Sequence, residues 1–324
     1  MKLKKGDKIG IFSPSSPITK LCPIRFNRAK KFLEAKGFVI VEGNLTGKGD
    51  FYRSGTIKER VEELNQLIKN PEIRCIMSTI GGMNSNSLLP YIDYDAFKNN
   101  PKIIIGYSDM TAILMGIYTK TGIKTYYGPA LVPSFGEFLP YNEITFSYFE
   151  DILIKDSFNY LYKAPEFWTE EFIDWNTQYK EKNRRENNWL SLKDGIVEGR
   201  LIIGNLNTMS GIWGTEYMPE IKEGDILFIE DSLKDIALVE KLFSLLKLSR
   251  IFDKIGGLIY GKHELFKDLG TGRKPYEVLL EVLGDYNFPF LVDVDCSHTH
   301  PMFTMPIGAT IILNTYDKTI KLLE

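Results

Sequence analysis

Residues Ile103 to Thr111 read IIIGYSDMT: three β-branched apolar residues, a glycine, then a polar turn carrying Ser108 and Asp109. A strand that turns through Gly106 into a helix is the repeating joint of a parallel α/β sheet. Working outward, β-branched or aromatic runs of strand length recur at Ile9–Phe12, Phe38–Val41, Ile73–Ser78 and Lys102–Ile105. Helical patterns separate them. Ile57, Val61, Leu64 and Ile68 fall at i, i+4, i+7 and i+11, and Thr56 with Glu59 makes a capping box at their start. Phe26, Ala29 and Leu33 share a face over 23–36, which ends at Gly37. Strands alternating with helices predict right-handed crossovers and a mostly parallel sheet covered on both faces, with ligands beyond the carboxyl ends of the strands.

After about Ser157 the chain becomes polar, charged and aromatic without a sustained apolar face, and Trp168, Trp175 and Trp189 fall there. A connector this long is often functional, and an aromatic lid is the expectation; the plainer alternative is a solvated linker pinned by its aromatics. From Gly195 a second apolar body follows. Its expected strands are 196–203, 225–229, 255–260, 290–294, 309–313 and 319–323, with helices over 232–248 and 276–283. The expected organisation is an N-terminal α/β domain over 1–155, a lid or linker over 156–194, and a β-rich α+β C-terminal domain over 195–324.

The 324 residues, 44% hydrophobic and 25% charged, describe a globular chain with ample core. Forty Lys and Arg against 42 Asp and Glu leave a net charge of −2, so neither nucleic acid nor an anionic membrane is expected as partner. Cys22, Cys75 and Cys296 are too few and scattered for a disulfide framework, and the apolar run Ile9–Phe12 is too short for a signal peptide. A cytoplasmic protein acting on a small molecule is the working expectation.

Ser108 on its turn has the setting of a nucleophile elbow, with the Asp109 N–H beside it at a helix N-terminus, although Met110 stands where the usual GxSxG pattern has its second glycine. Ser108 as a plain N-cap is equally compatible with this segment. IGGMNSN, Ile80–Asn86, follows the strand ending at Ser78; its paired glycines allow a close backbone approach and an N–H for an oxyanion, or an ordinary turn. The three histidines are His263, His298 and His300, and a serine hydrolase must draw its base from them. Asp293, Asp295, Cys296, His298 and His300 also have the donor types of a zinc site, but on a strand alternate residues share a face and neighbouring ones do not, so the five converge on one ion only if the segment bends sharply. Glu230 ends an apolar run just before an expected helix start, which suits an acid that orients the base, or one that complements a helix dipole.

Together, GDKIGIFSPSSP at the start, the block from Arg53 to Tyr94, IIIGYSDMTA, GNLNT at Gly204, GDILFIEDS and SHTHPMFTMPIG, in this order, resemble the serine peptidase family of the LD-carboxypeptidases and the microcin C self-immunity (MccF-like) proteins. The resemblance implies a Rossmann-like, flavodoxin-like N-terminal domain joined to a β-rich C-terminal domain. It implies Ser108 as nucleophile, His298 as base with Glu230 as its acid, and backbone N–H donors at Asp109 and Gly82, with Gly81 the close alternative. The family's base motif is usually Gly-His, where this chain has Ser297. Substrate contacts are expected from Gly81, Asn84, Trp168, Trp175 and Asn205, with no metal and no cofactor, in a homodimer. The Trp-bearing lid favours an aminoacyl-nucleotide conjugate such as processed microcin C. A murein tetrapeptide losing its terminal D-alanine is the alternative, and a non-catalytic binder of the same fold a remoter one.

Overall fold

The computed structural model describes residues 1–155 and 159–323. The composition change expected at Ser157, the start of the lid at 156 and the last residue, Glu324, lie outside them. Five strands, β1 (Lys8–Phe12), β2 (Val39–Glu42), β3 (Ile73–Ser78), β4 (Ile103–Gly106) and β5 (Tyr126–Tyr127), form a parallel sheet in the order β2-β1-β3-β4-β5. That is the flavodoxin-like order, whose direction reverses between β1 and β3, the usual ligand position in such sheets. All four residues of β4 are buried, as expected of a parallel strand covered on both faces. Cover comes from the expected helices. Ile57–Lys69 carries the capping box of Thr56 and Glu59 and buries Val61, Leu64 and Ile68, while Pro23–Ala35 buries Phe26, Ala29 and Leu33.

Among the described residues the second sheet has eight strands, and its centre is parallel: Ile196–Asn205, Ile226–Glu230, Gly257–Gly261 and Phe290–Val294 lie side by side. Antiparallel strands flank them on both sides. The long strand Ile196–Asn205 joins the two patterns, pairing antiparallel with Thr310–Asn314 through its first half and parallel with Ile226–Glu230 through its second. The short strand Met305–Pro306 returns to pair with β5 and ties the chain's end into the first sheet. One helix begins later than its sequence pattern suggests. It spans Ile236–Leu248 and is capped by Asp235, because Ser232 is taken up in a bridge to Glu264. The loop so formed carries Lys234.

The aromatic segment is largely exposed but anchored at a few buried residues. Gln178 and Lys182 are buried against the N-terminal domain, where Arg25 Nη1 donates to Gln178 Oε1 and Lys182 Nζ lies 3.1 Å from Glu137. Thr169 and His300 exchange backbone hydrogen bonds of 2.8 and 3.1 Å. Among the described residues no helix is long and apolar enough to cross a membrane.

Candidate active site

The carboxyl ends of both parallel blocks border one cavity of about 340 Å³, lined by Ser108, Gly81, Gly82, His298, Trp175 and Lys234 among others. Ser108 reaches it through a backbone that side chains rarely adopt. Its φ is +60°, in the left-handed region, which costs a non-glycine residue about 1–2 kcal/mol. Neighbours hold it there: the Ser108 N–H donates to the Tyr127 hydroxyl at 3.1 Å, and Thr111 Oγ1 donates to the Ser108 carbonyl at 2.6 Å. The Ser108 side chain caps neither the 3₁₀ turn Ser108–Met110 nor the helix Thr111–Thr121, so the N-cap alternative is not realised.

Glu230, the last residue of its strand, is fully buried. Its carboxylate accepts from the Tyr127 hydroxyl at 2.6 Å and from Asn205 Nδ2 at 3.0 Å, and its Oε2 lies 2.7 Å from His298 Nδ1. Burial alone would raise this carboxyl; the attraction of His298 and the hydrogen bonds from His298, Tyr127 and Asn205 outweigh it and hold it below the usual range. An ionised carboxylate only accepts, so His298 carries its proton on Nδ1 and leaves Nε2 free as an acceptor. The His298 imidazole is in turn disfavoured by burial as a cation but favoured by Glu230, and its pKa ends above 6.5. Tyr107, adjacent to Ser108, packs its ring edge-on 4.8 Å from the His298 ring.

The paired glycines are required by contact. A Cβ on Gly81 would stand 2.8 Å from Ser108 Oγ and 2.9 Å from the Asp109 nitrogen, and Gly82 has φ +144° with Ser15 where its Cβ would go. The residues expected to touch substrate divide. Gly81 and Trp175 line the cavity, Trp175 with the Arg25 guanidinium 4.6 Å over its ring. Asn84 is engaged elsewhere: its N–H donates to Ser15 Oγ and Asp109 Oδ2, and its Oδ1 accepts from Arg60 at 2.8 Å. Asn205 caps the helix Leu206–Ser210 and donates to the Glu230 carboxylate, so its side chain is spent within the protein. Trp168 walls a second cavity of about 470 Å³, between the cations of Arg185 and Lys262, each 5.3 Å from its ring. These three placements share a cause: polar and aromatic side chains acquired partners within the protein that no local pattern announces.

Sequence reading missed Tyr127, whose hydroxyl links the Ser108 backbone to Glu230, and Lys234, Lys182 and Glu264, which line the cavity. Tyr127 stands in a two-residue strand, Tyr126–Tyr127, with no motif around it, and only the helix's late start betrays Lys234. The zinc-like cluster does not converge. Asp295 accepts from Lys262 Nζ, Trp189 Nε1 and Asn187 Nδ2, Cys296 is buried, and His298 is held by Glu230. Among the described residues no group of three His, Cys, Asp or Glu is arranged to hold a metal ion. His300 lies in the cavity wall 4.0 Å from Glu137; burial and the nearby Lys182 push its pKa down to about 3. The third histidine, His263, bonds the Tyr260 hydroxyl through Nδ1 and accepts the Lys234 N–H through Nε2.

Family models of the LD-carboxypeptidase N-terminal and C-terminal domains match residues 9–128 and 198–313. The chain belongs to the LD-carboxypeptidase family. It is thereby a serine-type carboxypeptidase. The microcin C7 self-immunity protein MccF of Escherichia coli is 57% identical over 99% of this chain and 94% of its own length. A Vibrio cholerae protein described as a carboxypeptidase is 56% identical over 99% and 96%. A solved structure of MccF in complex with aspartyl sulfamoyl adenosine superimposes with a TM-score of 0.97 at 57% identity, covering 100% of this chain and 97% of that one. The two-domain α/β architecture of this LD-carboxypeptidase family member is that of MccF.

Proposed function

We propose that the chain hydrolyses the amide joining an aminoacyl carbonyl to a nucleotide-bearing group, as in processed microcin C, through Ser108, His298 and Glu230. His298 Nε2 takes the Ser108 proton as Oγ attacks the carbonyl carbon, and the oxyanion that forms is met by the backbone N–H groups of Asp109 and Gly82. The proton then passes from His298 to the leaving nitrogen, the amide bond breaks, and the acyl group remains on Ser108. Water, deprotonated by His298, releases it. Glu230 keeps the imidazole in the right tautomer and stabilises its cation. The elbow backbone of Ser108, the 2.7 Å contact of His298 with Glu230 and the free Nε2 support this assignment.

The observation that carries the choice of substrate is Trp175 in the wall of the cavity that holds Ser108. A nucleobase stacking on an indole gains about 1–3 kcal/mol, whereas a D-alanine tail offers no flat face. Identity of 57% with MccF over nearly the whole chain points the same way. Removal of D-alanine from a murein tetrapeptide is the second reading, favoured by the match to the LD-carboxypeptidase domain models. We further propose domain limits of 1–155, 156–194 and 195–324, a cytoplasmic location, in keeping with three free buried cysteines, and a homodimer, in keeping with the family resemblance. Turnover of aspartyl sulfamoyl adenosine and of a murein tetrapeptide by one preparation tests the substrate; exclusive cleavage of the tetrapeptide would reverse the preference.

A further inference from the structure

The loops that leave β1 and β3 diverge at the point where the sheet order reverses, and they are bound to each other. Ser16 N–H donates to the Gly81 carbonyl at 3.1 Å. In a planar trans peptide the carbonyl of Gly81 and the N–H of Gly82 point in opposite directions. Fixing the first therefore fixes the second, turned away from Ser16. The Gly82 N–H has no hydrogen-bond partner among the described residues, although Gly82 lines the cavity. Gly81 itself lies against Ser108 Oγ, so this peptide is held beside the nucleophile with one donor unspent.

Two further groups clamp the residues that follow. Ser15 Oγ accepts from Met83 N–H at 3.1 Å and Asn84 N–H at 3.0 Å while donating to Asn84 Oδ1 at 2.9 Å. The Asp109 carboxylate accepts from Asn84 N–H at 3.0 Å and Ser85 N–H at 2.9 Å. Arg60, buried, braces the assembly by donating to Asn84 Oδ1 at 2.8 Å and to the Pro14 carbonyl at 2.6 Å. Ser15 and Asp109 are themselves almost wholly buried. A glycine pair left alone has two accessible peptide orientations, and only one of them presents an N–H to the oxyanion. The contact with Ser15 also bars any side chain at Gly82: a Cβ there would stand 2.5 Å from Ser15 Oγ.

We propose that Ser15, Ser16 and the Asp109 carboxylate are positioning residues that lock the Gly81–Gly82 peptide with the Gly82 N–H facing the cavity, so that the oxyanion hole exists before substrate arrives. Asp109 then acts twice, its own N–H serving as one donor and its carboxylate holding the loop that supplies the other. The inference rests on the proposed role of Ser108, and the test separates the two.

The probe is a fluorophosphonate, which labels an activated serine: the Oγ–P bond forms, the P–F bond breaks, fluoride leaves and the serine proton passes to the base. Its phosphoryl oxygen needs the same donors as the oxyanion. The wild-type chain is expected to be labelled at Ser108, and Ser15→Ala to be labelled about 10–100-fold more slowly, a fraction of the roughly 10²–10³-fold effect of deleting an oxyanion donor. Affinity for adenosine monophosphate, which has no amide to cleave, is expected to stay within about twofold, since a ground-state ligand does not need the turned peptide. Asp109→Ala, which keeps the backbone N–H and removes the oxygen that accepts from Asn84 and Ser85, should behave likewise. Absence of labelling in the wild type would refute the role of Ser108. Equal labelling rates in wild type and both variants would refute the lock with Ser108 intact, and parallel losses of labelling and ligand affinity would reduce Ser15 to a merely structural part.

Discussion

The two sheets bring different materials to the same cavity. The carboxyl edge of the first supplies uncharged groups: the Ser108 hydroxyl on a left-handed backbone, and loops rich in glycine and serine after β3 and β1. The edge of the second supplies ionisable side chains, with Glu230 ending one strand, Glu264 following the next and His298 beyond the third. Backbone geometry on one side and charge on the other means that each half fails differently when altered. Ser108→Ala removes the hydroxyl proposed to form the covalent bond and should lower turnover by about 10⁴–10⁶-fold while leaving ligand affinity nearly unchanged. Titration calorimetry with a non-cleaved analogue checks the second part, and a loss of affinity matching the loss of rate would erase the distinction between the two edges.

On the charged side, Glu230→Gln should cost about 10⁴-fold in turnover, because the amide cannot hold His298 in the Nδ1–H tautomer. It should also move the pH profile. As the proposed base, His298 must be neutral to act, and Glu230 keeps its pKa above 6.5, so wild-type activity should rise with pH through that raised value. Without the carboxylate, burial dominates and the rising limb shifts to lower pH. A limb that stays in place, measured as kcat/KM against pH, would assign the titration to another group.

A smaller effect separates the tryptophans. Trp175→Ala should weaken nucleotide-bearing ligands by about 1–3 kcal/mol and leave a murein tetrapeptide untouched. Trp168→Ala, altering the other cavity, should change neither, and equal losses from both variants would place the base elsewhere.

The sequence carried the first edge better than the second. IIIGYSDMT and IGGMN are read locally, since a strand, a turn and the φ that a glycine or a strained serine adopts are properties of a few adjacent residues. The helix Ile57–Lys69 was legible for the same reason, through its capping box and apolar spacing. Glu230 and His298, 68 residues apart in sequence, meet only through strand order in the second sheet, and family resemblance rather than spacing put them together. Nothing local could show that Tyr127 joins Ser108 to Glu230, that Asn84 and Asn205 are engaged by Arg60 and Glu230, or that the polar segment before Gly195 buries Gln178 and Lys182 against Arg25 and Glu137. Those outcomes depend on which partners the fold delivers to each side chain.

The smallest predicted effect lies within one turn of chain. His298 and His300 are two residues apart, yet one is raised above 6.5 by Glu230 and the other is driven to about 3, by burial first and then by Lys182 and Arg25, against the opposing pull of Glu137. Their contributions to stability therefore have opposite signs with pH. His298 stabilises the fold below about pH 6.5, and that stability is lost as pH rises through its raised value. His300, kept neutral, binds its proton more readily in the unfolded chain, so stability falls as pH drops from 6.5 toward 3. Replacing His300 by Phe removes the titration while keeping a ring beside Tyr141. The variant should lose less stability than wild type on acidification, by up to about 2 kcal/mol between pH 6.5 and about pH 5, with hydrolysis at neutral pH changed only severalfold. His298→Gln should do the reverse and steepen the acid loss. Urea denaturation midpoints at the two pH values read both, and identical slopes for the two variants would mean that the histidines share one environment after all.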